Sequence, residues 1–202
     1  MGIEFEPIKT HLTYDQAMAL LHAHVQDPGI LAHCRETEVI MRALARRFGQ
    51  DEEEWAVIGL LHDVDFQETR ATPAQHCVKA KGMLRDGGMS ELAIDVIFSH
   101  AYGTECGGPE ARDRQRTRPM EHALVAAETL TGLIFAAALM TPEKKLEGLT
   151  VNSLKKKYKS KGFARNCNRE FMAEIERTGL SMDEFFEIGI RAMQGIAPEI
   201  GL

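Results

Sequence analysis

The sequence predicts an all-α fold, a helical bundle in a single domain over residues 1–202. Three observations carry this. Apolar residues recur at three- and four-residue spacing in almost every segment. Those segments are bounded by helix caps, prolines and glycines. No stretch alternates convincingly at period two, and there is neither an internal repeat nor a low-complexity linker. At 202 residues, 44% of them apolar, the chain is long enough for one substantial core and too short for two large ones.

The first helix is expected over Asp15 to Val25, ended by Asp27-Pro28-Gly29. A second runs from about Leu31 to Phe48 and stops at Gly49. Asp51 then reads as an N-cap, with Glu54 completing a capping box, and that helix ends at His62-Asp63. Thr72-Pro73 opens another, taking in His76, Ala80, Met83 and Leu84 before Gly87-Gly88. Ser90 starts one that reaches His100. Gly103 to Pro119 is polar and glycine-rich, holds Arg112, Arg114, Arg116 and Arg118, and reads as a loop or lid. Met120 to Met140 is the longest candidate. Thr141-Pro142 repeats the cap-plus-proline signal, Thr150 caps a helix through Tyr158, and the last helices begin near Asn168 and at Ser181, with Glu184 as its capping-box partner. The core is expected over about residues 15–140, with helices over about 141–197 packed on it, and Met193 in the core rather than on a dimer surface.

Composition narrows the function. A net charge of −6 argues against wholesale nucleic-acid binding, so no stable nucleic-acid partner is expected. The longest apolar stretch, around Leu130 to Met140, is too short for a bilayer span. Glu4 and Glu6 stand where a signal peptide would be basic. Cys34, Cys77, Cys106 and Cys167 show no Cys-x-x-Cys spacing and suit reduced thiols. The expectation is a cytoplasmic protein without a membrane partner, either monomeric or a homo-oligomer.

The chain is organised around Gly59-Leu60-Leu61-His62-Asp63-Val64-Asp65, where an apolar run delivers a histidine and an aspartate side by side and a second aspartate two residues on. Imidazole and carboxylate are good ligands for divalent transition ions. His33 lies upstream and His76, His100 and Glu128 downstream, so five helices each offer a ligand group, as helical bundles do at their metal sites. His33, His62, Asp63 and Glu128 suffice for one ion. Adding His76 and His100 supplies two, with Asp63 as the bridge. His11, His22 and His24 fall outside the pattern, and His122 is near enough to Glu128 to support it.

The order of these residues, with Leu31-Ala32-His33-Cys34, the block around His62-Asp63 and Leu124 to Ile134, resembles the HD-domain superfamily of metal-dependent phosphohydrolases, in particular its small stand-alone predicted hydrolases. The resemblance covers about Asp15 to Ile196. It implies His33, His62 and Asp63 as metal ligands, and His76 and His100 as those of the two-metal branches. The last acidic ligand is usually aspartate; here it is Glu128. Ala101 follows His100 and no Gly-Tyr-Pro signature is present, which sets the chain apart from the HD-GYP branch.

The implied activity is hydrolysis of a nucleotide or another small phosphorylated metabolite, with a metal-activated hydroxide attacking phosphorus and Asp63 and His62 at the catalytic centre. The cofactor is one or two divalent ions: iron, manganese, zinc, nickel or magnesium. Basic residues cluster from Lys144 to Arg169, and Lys144, Lys145 and Lys155 are the candidate phosphate-binding groups. Two other classes fit the same ligands: an HD-fold di-iron oxygenase, and a non-catalytic metal- or nucleotide-binding module.

Overall fold

The computed structural model describes residues 3–202. The helices are α1 (Tyr14–His24), α2 (Pro28–Phe48), α3 (Glu52–Leu61), α4 (Phe66–Thr69), α5 (Val78–Asp86), α6 (Glu91–Phe98), α7 (Gly108–Arg112), α8 (Pro119–Ala138), α9 (Val151–Lys159), α10 (Arg169–Ala173) and α11 (Met182–Gln194), and no strand occurs among the described residues. The fold is all-α.

Side-chain caps set most of the boundaries. Asp27 Oδ1 accepts from the Gly29 and Ile30 amides, Asp51 from Glu53 and Glu54, and Ser90, Thr150, Asn168 and Ser181 cap in the same way. Thr13 and Gln16 form a reciprocal capping box on α1. The box expected at Asp51 is only half made. The Glu54 carboxylate turns away to accept from the amide and hydroxyl of Thr10, at 2.7 and 2.6 Å. Glu184 likewise pairs with Arg47, at 2.5 Å.

α2 and α3 form a hairpin at the centre of the molecule. Gly59 lets their backbones touch: a Cβ there would stand 3.0 Å from Glu38 Cα, from Met41 Cγ and from the Thr37 carbonyl oxygen. Any side chain would push apart the two helices that carry His33 and His62. α8 packs on α2, and α11 closes on both α2 and α8. One apolar core takes in residues from Ile8 to Ile200, including Phe185, Phe186 and Met193 of α11, so the C-terminal helices share the core with the rest. α8 is long and apolar enough to cross a membrane by length and composition, longer than the Leu130–Met140 stretch suggests, but 78% of its apolar window is buried inside the protein.

Three expected elements differ. The helix opening at Thr72-Pro73 is broken: a 3-10 turn at Pro73–Gln75 is followed by His76 and Cys77 outside any helix, and α5 starts at Val78. Thr141-Pro142 starts no helix, because the Thr141 hydroxyl is used in a turn between the Ala138 carbonyl and the Lys145 amide. The region 103–119 contains α7 and is fastened down. The largely buried Arg116 grips Glu174 with two bonds of 2.7 and 2.8 Å and donates to the carbonyls of Ser99 and Tyr102.

Candidate metal centre

Four imidazoles converge on one carboxylate. Asp63 Oδ2 lies 3.6 Å from His33 Nε2 and 3.6 Å from His62 Nε2. Its other oxygen, Oδ1, lies 3.4 Å from His76 Nε2 and 3.6 Å from His100 Nε2. Within each pair the two Nε2 atoms face one another at 3.1 Å. His62 and Asp63 follow the last turn of α3, His33 sits in the second turn of α2, and His100 lies in a 3-10 turn after α6.

Each ring is oriented from behind through Nδ1. His62 Nδ1 donates to the Gly59 carbonyl at 2.8 Å, and His100 Nδ1 to that of Ile97 at 2.7 Å. His76 Nδ1 meets Asp65 Oδ1 at 2.9 Å. His33 Nδ1 lies 3.0 Å from Thr131 Oγ1, whose own proton goes to the Glu128 carbonyl at 2.7 Å, so the hydroxyl oxygen accepts. A carbonyl or carboxylate can only accept, so Nδ1 carries the proton in every case. Each ring therefore turns its Nε2 toward Asp63, the outer arrangement typical of metal-bound histidine.

This donor set fits a pair of cations. Nε2 atoms facing one another at 3.1 Å beside a carboxylate need a proton or a metal ion between them. Two nitrogens bound to one ion at about 2.1 Å stand roughly 3.0 Å apart at a right angle and roughly 3.4 Å apart at the tetrahedral angle. The observed spacing falls between those values. His33, His62 and Asp63 Oδ2 would hold one ion, and His76, His100 and Asp63 Oδ1 another.

The electrostatics agree. Burial works against charge on Asp63, yet His62, His100 and His76 hold its carboxyl well below the usual range. Burial drives His62 down to about 3, against the pull of Asp63 and with the help of His33 and His100. His76 and His100 are raised: burial opposes their charge, but Asp63, Asp65 and Cys77 outweigh it. A site that draws protons this strongly exchanges them for metal.

Glu128 stands apart from this cluster. The tight ligand groups are His33–His62–Asp63 and His76–Cys77–His100. Glu128 lines a cleft of about 330 Å³ beside His33, Thr129, Thr131, Asn166, Asn168 and Phe171, with Oε1 accepting from the Thr129 hydroxyl at 2.6 Å. Burial raises its pKa against the pull of His100 and His33. A second cleft, of about 310 Å³, opens on the other side of His33 and is lined by Asp63, Phe66, Asp27 and Arg70.

The expected lysines do not line either cleft. Lys155 pairs with Asp183 at 2.6 Å on the surface, Lys145 borders a separate cleft with Glu147 and Gln194, and Lys144 is exposed in a turn. His122 does not support Glu128 either; its Nδ1 lies 2.6 Å from Glu174 Oε2. Sequence reasoning missed Cys77, Thr131 and Arg70. For Cys77 the signal was its place directly after His76.

The HD domain family model matches residues 30–105, a span that contains His33, His62, Asp63, His76 and His100 and ends before Glu128. This stretch of the chain is similar to the HD domain. Comparison with curated proteins and with solved structures gives no match. The matched stretch takes in most of α2, then α3 to α6 and the turn that carries His100, and α8 backs it with Thr131 and Glu128. HD domains as a class are metal-dependent hydrolases, and the histidine, aspartate and cysteine groups of this chain could hold a metal ion.

Proposed function

We propose that this HD-domain protein is a phosphohydrolase acting on a nucleotide or another small phosphorylated metabolite. The observation that carries the reading is the division of the Asp63 carboxylate, one oxygen toward His33 and His62 and the other toward His76 and His100. Divalent ions held there supply Lewis acidity to a phosphoryl oxygen and lower the pKa of a water.

The chain's own groups do the rest. Both clefts beside His33 are at the small end of the range for ligand pockets, which suits a compact phosphate ester. Arg70, and not the distant lysines, offers the cation. It lines the same cleft as Asp63 and His33, and its present partner is Asp27 at 3.2 Å. A guanidinium recognises phosphate oxygens through paired donors. Glu128, a buried carboxyl with raised pKa beside His33, suits a group that takes and returns a proton at Oε2.

The test is phosphate release from a panel of nucleotides and phosphomonoesters, aerobic and anaerobic, with metal content measured on the same preparation. Oxygen-independent release, abolished in Asp63→Asn, supports the reading. Turnover that consumes oxygen and releases no phosphate overturns it in favour of the di-iron oxygenase class. Metal binding without turnover on any substrate would favour a binding module. Arg70→Ala is expected to lower kcat/KM roughly 10- to 100-fold, mostly through KM, the worth of one charge-assisted contact.

A further inference from the structure

We propose that Cys77 is a thiolate ligand of the second ion, making a His76–Cys77–His100–Asp63 donor set that selects a soft divalent ion such as zinc, iron or cobalt over magnesium. This rests on the reading that Asp63 divides its oxygens between two ions.

Cys77 Sγ lies 3.4 Å from His100 Nε2, and one ligand atom from each of His76, Cys77 and His100 lies within 4.8 Å of the other two. A sulfur at about 2.3 Å and a nitrogen at about 2.1 Å from one ion stand roughly 3.1 to 3.6 Å apart between a right angle and the tetrahedral angle. The observed separation falls inside that range. Neighbouring residues on ordinary backbone rarely aim at one point. Here they do because Cys77 adopts φ 64°, ψ −31°, a conformation that non-glycine residues avoid. Strain of this kind persists where the surroundings enforce it, commonly at a functional site.

The surroundings enforce it through Asp65. Cys77 occupies the N-cap position of α5 without making a cap bond. The cap is supplied from outside: Asp65 Oδ2 accepts from the Ala80 amide at 3.0 Å, while Oδ1 holds His76. The cysteine side chain is thereby free to turn inward. Beneath it, Phe98, Ala101, Tyr102 and Ala111 form a small separate apolar cluster that covers the sulfur. With both Nδ1 protons engaged elsewhere, the Nε2 atoms of His76 and His100, one Asp63 oxygen and the Cys77 sulfur are brought together, a donor set that a cation satisfies. Thiolate is a soft ligand and shifts preference away from magnesium and calcium.

The experiment is cobalt(II) loading of the metal-free full chain, read by electronic absorption and by metal stoichiometry. The expected result is two cobalt ions per chain and a thiolate-to-cobalt charge-transfer absorption in the near ultraviolet. Cys77→Ser is expected to lose that absorption and to bind the second ion roughly 100-fold more weakly, while the first ion stays. Cys34→Ala, which alters the other buried thiol near Asp63, keeps the absorption. Two ions bound by the unaltered chain without that absorption overturn the proposal and leave the two-ion reading standing. No ion bound overturns both. The unaltered chain's spectrum decides the matter even where Cys77→Ser fails to fold, and an absorption that persists in a folded Cys77→Ser protein overturns the proposal as well.

Discussion

Asp65 is fully buried, yet neither of its oxygens is left unpaired: Oδ1 orients His76 and Oδ2 caps α5. Both partners are donors, so a carboxylate satisfies them and an amide cannot. In Asp65→Asn the amide nitrogen must face either the His76 Nδ1–H or the Ala80 N–H. The expected outcome is a loss of about 1–3 kcal/mol of stability and a second ion bound roughly 10- to 100-fold more weakly, the usual result of disturbing a group behind a ligand. Metal titration and chemical denaturation of the same variant check both. An unchanged second-ion affinity would show that His76 needs no orientation from Asp65. The His-Asp-x-Asp run put Asp65 on view in the sequence, but its role depends on a contact with a residue eleven positions away, which no local pattern encodes.

At the scale of elements, legibility followed the range of the interaction. Helices opened by their own side chains, such as Asp51, Ser90 and Ser181, could be read from the sequence within a few residues, whereas Asp27, read as part of a helix end, opens the next helix. Where a distant partner intervened, the local signal misled. Thr72-Pro73 predicts a helix through His76, and the bonds to Asp65 break it there. Glu54 and Glu184 look like capping-box partners, and Thr10 and Arg47 take them instead. That the four histidines and Asp63 come together was legible because each lies in or beside an apolar segment that had to turn inward: His33 within α2, His62 and Asp63 just past α3, His76 before α5 and His100 after α6. The lysines were not, since a run of charge says nothing about which way its helix faces. Arg169, in the same basic cluster, shows what one such cation does. It donates to the carbonyls of Tyr158, Phe163, Ala164 and Cys167 and so fixes the loop that presents Asn166 and Asn168 to the His33 cleft. Arg169→Ala is expected to cost about 1–3 kcal/mol and to raise hydrogen exchange at residues 163–168, with a higher KM and little change in metal content. Unaltered exchange there would mean that the loop holds itself.

For the molecule as a whole, two carboxyls away from the histidine cluster make opposite contributions to how stability follows pH, in separate windows. Glu174 feels burial, which raises its pKa, but the bonds from His122 and Arg116 prevail and bring it down to about 2. Its folded pKa is depressed, so its contribution is present above about 4.5 and is lost as pH falls toward 2. Glu36, on α2, behaves in the opposite way. Its side chain is buried, only 4% of the residue is exposed, and burial raises its pKa to about 7. Between about pH 4.5 and 7 the folded chain keeps a proton that the unfolded chain releases, so stability falls as pH rises through that window and levels off above it. Glu36→Gln keeps the shape and removes the titration. The variant is expected to match the unaltered protein near pH 4.5 and to exceed it by on the order of 3 kcal/mol at pH 8, from a shift of roughly 2.5 units. Urea denaturation at pH 4.5, 6 and 8 measures the gap, with metal removed so that proton release from the histidine ligands does not contribute. A gap that stays constant across the three pH values would show that Glu36 ionises in the folded protein as easily as in the unfolded one.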